Sequence, residues 1–364
     1  MSLFNLFKKT EKAVDSNDAF WIWFQKNEQT FFQVVKEQKN IEKLFFDQLS
    51  LKLNSLKKGY FYLTGMYDKN TVELVITADG DIKNIPFVEQ LIDAAPTIIG
   101  WKFTALKPAL SIENVNINMA GFKFNQEKIC FYANVDKAFP DQIDLTIVYE
   151  SFEEKNRSVI SNGVYIFLDN YLGELNFATT IDNIKVVSRE QAEKELIPIE
   201  RLKAFLNWRE KEFIEKYEGI RQHTDDDSYS MLEAKLENGN ALLAVINRDL
   251  LDWDKKASHP WVMVVEISYD GSNNKGMPDN DTYELLNIIE NNIVNELRDI
   301  DGYLNIGRQT AEGSREIYFA CKDFRKPALL MFEIEKIYSK QIKIEYDIYK
   351  DKYWKSFNQF VSNG

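Results

Sequence analysis

Apolar positions along this chain change their spacing several times, and each change marks an element. From Asp18 to about Lys57 they recur at helical spacing, with Phe20, Trp23, Phe24, Phe31, Val34 and Val35 on one stripe and Ile41, Leu44, Phe45, Leu49 and Leu53 on another. This predicts a helical hairpin broken near Gln38 to Asn40. The aromatic run FWIWF lies inside the first stripe and reads as core, because aromatics at that spacing face a neighbouring layer. After Gly59 the period shortens: GYFYLTGMY and TVELVITADGD predict two strands turning around Asp68 to Asn70. A helix from about Pro86 to Ala95, the strands WKFTALKP, KICFYANVD and DLTIVYESF, a helix near Ser158 to Leu172 and the strand IKVVS follow.

A second succession runs from Trp261 to Ile348. WVMVVEISYDG predicts a buried strand, and Asp281 and Glu284 have capping-box spacing before the stripe Leu285, Leu286, Ile289, Ile293, Val294 and Leu297. YLNIGRQT and SREIYFACKD, separated by Glu312-Gly313, predict a hairpin with Ile317, Phe319 and Cys321 on one face. A further helix starts near Phe324, with Pro327 in its first turn and Leu330, Ile334 and Ile337 as its buried stripe. QIKIEYDI closes the unit with strict alternation. The order βαββαβ predicts an α+β fold, a ferredoxin-like unit with two helices on one face of an antiparallel sheet. SMLEAKLENGNALLAVIN, turning at Asn238-Gly239, is expected to extend that sheet.

KICFYANVDKAF and EIYFACKDFRK share an apolar strand containing Cys and ending at an Asp with a basic and an aromatic residue after it. Two diverged copies of one ferredoxin-like unit are therefore expected. The domain reading is an N-terminal helical segment over 1–58, a first α+β unit over 59–188, a connecting helix over 189–222 and a second α+β unit over 228–364. The acidic run Thr224 to Ser228 marks the boundary loop.

GRQTAEGSREIYFACKD, followed by YKDKYWKSFNQF, resembles the bacterial domain family of unknown function numbered 695, carried here by Gly307, Arg308, Thr310, Gly313, Arg315 and Trp354. The likeness spans roughly Ser228 to Phe360. That family is similar in layout to the RraB-type protein inhibitors of ribonuclease E, small acidic ferredoxin-like domains, so the resemblance implies a fold and a protein partner rather than a reaction.

Chemistry narrows the picture further. The 364 residues carry a formal net charge of −12 with both signs interspersed, which disfavours a phosphate backbone as partner. Cys130 and Cys321 lie in apolar strand runs and read as buried free thiols, so no disulfide framework is expected. The two histidines, His223 and His259, read as solvated loop residues. With no Cys/His cluster, no H-E-x-x-H and no phosphate-cradling glycine loop, neither metal nor cofactor is expected. ADGD at Asp79 and Asp81, and Asp225 to Asp227, read as turn and linker rather than calcium loops. No apolar run spans a bilayer and no secretory leader is evident, which makes the expectation cytoplasmic. Leu3, Phe4, Leu6 and Phe7 beside two lysines read as a docked or frayed terminus before a membrane contact.

The candidate ligand- or partner-binding residues are Arg308, Thr310, Arg315 and Trp354, with Glu312 between the arginines. Two forked guanidinium groups on one hairpin suit a carboxylate or phosphate, and a neighbouring Trp can stack on one of them. The functional expectation is a non-catalytic binding or regulatory protein acting on a protein partner, the alternative being a small-molecule enzyme or sensor with its site in a cleft between the two α+β units.

Overall fold

The Ser16 hydroxyl accepts from the Ala19 N–H at 3.2 Å and caps the first helix. The structure, a computed structural model, describes residues 15–220 and 223–361, so the reading of Leu3 to Phe7 lies outside it. The described residues up to Ala109, with Gly173–Leu175, form one compact unit and the remaining described residues a second.

In the first unit α1 (Asn17–Glu37) and α2 (Asp47–Leu56) make the expected hairpin, broken where Gln38 and Asn40 both adopt φ 53°. They cover a sheet of β1 (Phe61–Met66), β2 (Val72–Thr77) and β3 (Trp101–Ala105), with α3 (Ile85–Asp93) crossing from β2 to β3. FWIWF is core, as expected: Phe20, Trp21, Trp23 and Phe24 are buried, and Phe24 meets Trp101 and Phe103 edge-on at 4.9 and 5.4 Å. The short return Gly173–Leu175 is held by the fully buried Glu174 carboxylate. It accepts from the N–H groups of Ala78, Gly80 and Lys107 at 3.1, 2.9 and 3.0 Å, and from the Thr77 hydroxyl.

The second unit begins with the hairpin β4 (Ile117–Met119) and β5 (Phe122–Phe124), turned by Ala120 and Gly121 at positive φ, in sequence where no regular element was expected. β6 (Ile129–Asn134) and β7 (Asp144–Tyr149) follow, then α4 (Arg157–Leu172), α5 (Glu174–Thr180), β8 (Asn183–Val187), β9 (Ile197–Pro198) and α6 (Leu202–Tyr217). These strands form a four-stranded sheet ordered β8-β7-β6-β9. Over 59–188, where a first ferredoxin-like copy was expected, the pairing is different. The strands fall into three sheets, and β2 pairs in parallel with β3 across α3, as β7 does with β8 across α4. The connecting helix is also shorter than 189–222: Ile197–Pro198 pairs with β6, and helix begins only at Leu202. After the strand shared by the two stretches, β6 runs directly into β7.

The remaining elements are β10 (Tyr229–Lys235), β11 (Ala241–Asn247), α7 (Arg248–Asp252), β12 (Trp261–Ser268), α8 (Asn280–Glu296), β13 (Tyr303–Ala311), β14 (Ser314–Cys321), α9 (Arg325–Tyr338) and β15 (Lys343–Lys350). They build a six-stranded antiparallel sheet ordered β10-β11-β13-β14-β12-β15, and the hairpin of β10 and β11 extends it as expected. Unlike β6, β14 runs into a helix. α8 and α9 cover one face. The other buries Ala244, Ile246, Leu304, Ile306, Tyr318, Ala320, Trp354, Phe357 and Phe360. Two helix details differ from expectation. Asp279, not Asp281, caps α8 by accepting from Thr282 N–H at 2.8 Å, and α9 buries Met331, Ile334 and Tyr338 while Ile337 is exposed.

Candidate functional site

The hairpin of β13 and β14 turns at Glu312 and Gly313, both at positive φ, as Glu-Gly predicts. Strict alternation along β13 would set Arg308 on the face of Leu304 and Ile306. A bulge between Asn305 and Gly307 shifts the phase, so Arg308 stands opposite Ile317 and Thr310 opposite Arg315, all toward α8. Gly307, at φ 138°, sits so close to β11 that a Cβ there would lie 2.2 Å from the Val245 carbonyl oxygen. At the turn, Gly313 is gripped by the loop after β12: Tyr269 N–H donates to its carbonyl at 2.7 Å and its own N–H donates to Gly276 at 2.8 Å. The glycines of the GRQTAEGSRE stretch thus serve close backbone approach.

From α8, Tyr283, Asn287 and Glu290 reach the hairpin at helical spacing. Arg308 Nη1 donates to Glu290 Oε1 at 2.6 Å, and Arg315 Nη1 donates to Glu290 Oε2 at 3.3 Å and to Asn287 Oδ1 at 2.8 Å. Arg315 Nε donates to Thr310 Oγ1 at 3.3 Å, and its guanidinium lies 5.3 Å from the centre of the Tyr283 ring. Arg315 is only 1% exposed, so its guanidinium is closed off from an incoming carboxylate or phosphate. Burial pulls its pKa below the ordinary arginine value and Arg308 adds to this, while Glu290 opposes it. Arg308 differs: its side chain is 30% exposed, and its Nε and Nη2 have no hydrogen-bond partner among the described residues. Two cations share one carboxylate.

Arg308, Thr310 and Arg315 are therefore brought together, and Trp354 is not. It lies on the opposite face of the sheet, 2% exposed, donating from Nε1 to the His259 carbonyl at 2.9 Å, so it cannot stack on either arginine. Glu312 is exposed and accepts from Asn238. His259 departs from its solvated reading as well. It is fully buried, its Nδ1 lies 2.9 Å from Ser258 Oγ, and burial with nearby Lys322 pushes its imidazole down to about 3. Asn287 and Glu290 were missed in the sequence; their only mark was a polar interruption beside the stripe of Leu286, Ile289 and Ile293.

Elsewhere, a shallow cavity of about 390 Å³ opens between the end of β12 and α8, lined by Tyr269, Asp270, Thr282 and Lys343 among others. Cys321 is buried and its thiol is pushed above the ordinary range by burial. Among the described residues no group of three or more His, Cys, Asp or Glu is placed to hold a metal ion, and no helix is long and apolar enough to cross a membrane.

The helix-backed sheet and its arginine hairpin coincide with a recognised sequence pattern. Residues 228–362 match the family model of DUF695, a family of unknown function, over the span that the resemblance implied. No curated protein and no solved structure matches the chain.

Proposed function

We propose that the region from Ser228 onward is a ferredoxin-like, non-catalytic protein-binding module whose partner sets a carboxylate on Arg308. The order β13-β14-β12-β15, antiparallel throughout with α8 and α9 on one face, supports the ferredoxin-like reading. The layout that the family resemblance implies, that of protein inhibitors of ribonuclease E, supports a protein partner. The observation that carries the site is the charge balance at Glu290, where two guanidinium groups meet one carboxylate and the Arg308 side chain is 30% exposed.

Next to Arg308 the same face of the sheet is apolar and open. Val245 stands opposite Arg308, Met231 opposite Val245 and Leu243 opposite Thr310, with Met231 77% exposed. Glu233 lies beyond Leu243 and is bonded to neither arginine. An apolar segment bearing an Asp or Glu fits this surface, and a local cation in a chain of net charge −12 draws an acidic group to that point. The partner, captured from native extract and purified, should bind the Arg308→Ala protein at least about tenfold more weakly, since each charge-assisted hydrogen bond contributes about 1.5 to 3 kcal/mol. Unchanged affinity in that variant would remove the site from consideration.

A further inference from the structure

Edge strands leave outer N–H and C=O groups open to another strand, and proteins guard them with charge, proline, bulges or brevity. β15 carries Lys343, Glu345 and Asp347, β10 carries Glu233 and Lys235, β3 carries Lys102, β8 carries Lys185, and β9 is two residues long with Pro198. β1, FYLTGM, has no charge, no proline and no bulge against β2. Its even positions face the helices, with the Tyr62 hydroxyl 2.6 Å from Ser50 Oγ. Its odd positions are open: Phe61 and Leu63 are 52% and 53% exposed, and a Cβ on Gly65 would meet nothing within 4 Å.

Hydrogen-bond phase fixes which groups look outward. Tyr67 N–H donates to Thr71 O at 2.8 Å, continuing the β1–β2 register, so odd residues of β1 exchange bonds with β2. The N–H and C=O groups of Tyr62 and Thr64 therefore point off the sheet. A two-fold axis through Leu63, perpendicular to the sheet, satisfies this phase. Tyr62 of each copy then pairs with Thr64 of the other, Leu63 meets Leu63, and Phe61 lies opposite Gly65, where its ring covers the bare glycine.

We propose that the protein forms a homodimer through β1, joining two three-stranded sheets into one of six strands. A second copy is the occupant because the strand is its own complement, the residue lacking a side chain standing opposite an exposed phenyl ring. Charge agrees with this, since two chains of net charge −12 approach with least repulsion along an uncharged edge.

Sedimentation velocity of the full chain over rising concentration is expected to show a monomer–dimer equilibrium. Leu63→Lys, which opposes two ammonium groups at the axis, is expected to weaken it at least about fivefold with an unchanged circular dichroism spectrum. In a Cys130→Ser background, with Cys321 fully buried, Leu63→Cys treated with diamide should yield a covalent dimer and Phe61→Cys should not. A chain monomeric throughout, a dimer indifferent to Leu63→Lys, or equal cross-linking at positions 61 and 63 overturns the proposal.

Discussion

Arg308 and Arg315 bind the same carboxylate, yet replacing each should have a different consequence. Removing Arg315 leaves Asn287 Oδ1 and Thr310 Oγ1 without its donors in a closed place and takes one of the two cations from Glu290. Arg315→Ala should therefore cost about 3 to 5 kcal/mol of stability. Arg308→Ala leaves Glu290 with Arg315 and opens only a partly exposed position, so its cost should stay within about 1 kcal/mol. Urea unfolding of the two variants separates these values, and equal shifts would mean that Arg308 is as structural as Arg315. The arginines were legible in the sequence as distinctive donors on one hairpin. Their burial was not, because depth under α8 depends on where a helix some twenty residues away comes to rest. His259 teaches the same point: a lone histidine before a proline reads as loop, and only the packing of Trp253 and Trp354 around it closes it from water.

At the scale of elements, turns were legible and pairing partners were not. Asn238-Gly239 and Glu312-Gly313 announce their hairpins because each turn needs a left-handed residue. Nothing in the alternation of β2 or β7 distinguishes a parallel neighbour from an antiparallel one, so the parallel pairs of β2 with β3 and of β7 with β8 were not legible. The bulge in β13 was equally silent, although it decides which face Arg308 occupies. Gly307 is the residue that makes this arrangement stand, since β11 passes where its side chain would be. Gly307→Ala should lift β11 from β13 and cost about 2 kcal/mol or more, the strain adding to lost pairing. Amide exchange gives the sharper reading: protection should fall at Ala244 to Ile246 and remain at Val262 to Val265 in β12. Unaltered protection along β11 would show that the close approach is not needed.

Across the second unit, the region before Thr224 and the region after it are joined by a buried charge network that a search for boundaries by composition does not reveal. Asp182 Oδ1 lies 2.9 Å from Lys350 Nζ and Oδ2 lies 2.7 Å from Lys352 Nζ, while Lys216, Tyr217 and Tyr353 each reach the Asp141 carboxylate within 2.9 Å. The lysines and tyrosine of YKDKYW thus bind the sheet to the segments around Asp141 and Asp182. The acidic loop is tied too, Thr224 N–H donating to Asp299 and Ser228 N–H to Asp249, both at 2.8 Å. Burial raises the pKa of Asp182, but Lys350, Lys352 and the Ile143 N–H outweigh it and hold the carboxyl below 3.8. Burial likewise raises the pKa of Asp141, and the bonds from Lys216, Tyr353 and Tyr217 outweigh it and lower it. Carboxyls lowered in the folded chain contribute stability that is present above 3.8 and is lost as pH falls through their folded values. The unfolding midpoint should therefore drop below pH 3.8, and the drop should shrink in Asp182→Ala. That variant should already be weaker at pH 7 by about 3 to 5 kcal/mol, because it leaves two buried ammonium groups without their carboxylate. Lys350→Met should cost less, as Lys350 is held down to about 8 by burial and Lys352, and Asp182 keeps Lys352 when it is gone. A chain nicked between Thr224 and Ser228 by brief proteolysis should elute as one species at pH 7, and its Asp182→Ala counterpart should release the fragment from Ser228 onward. Separation of the nicked parent chain at pH 7 would show that the two regions stand apart and that the network does not hold them.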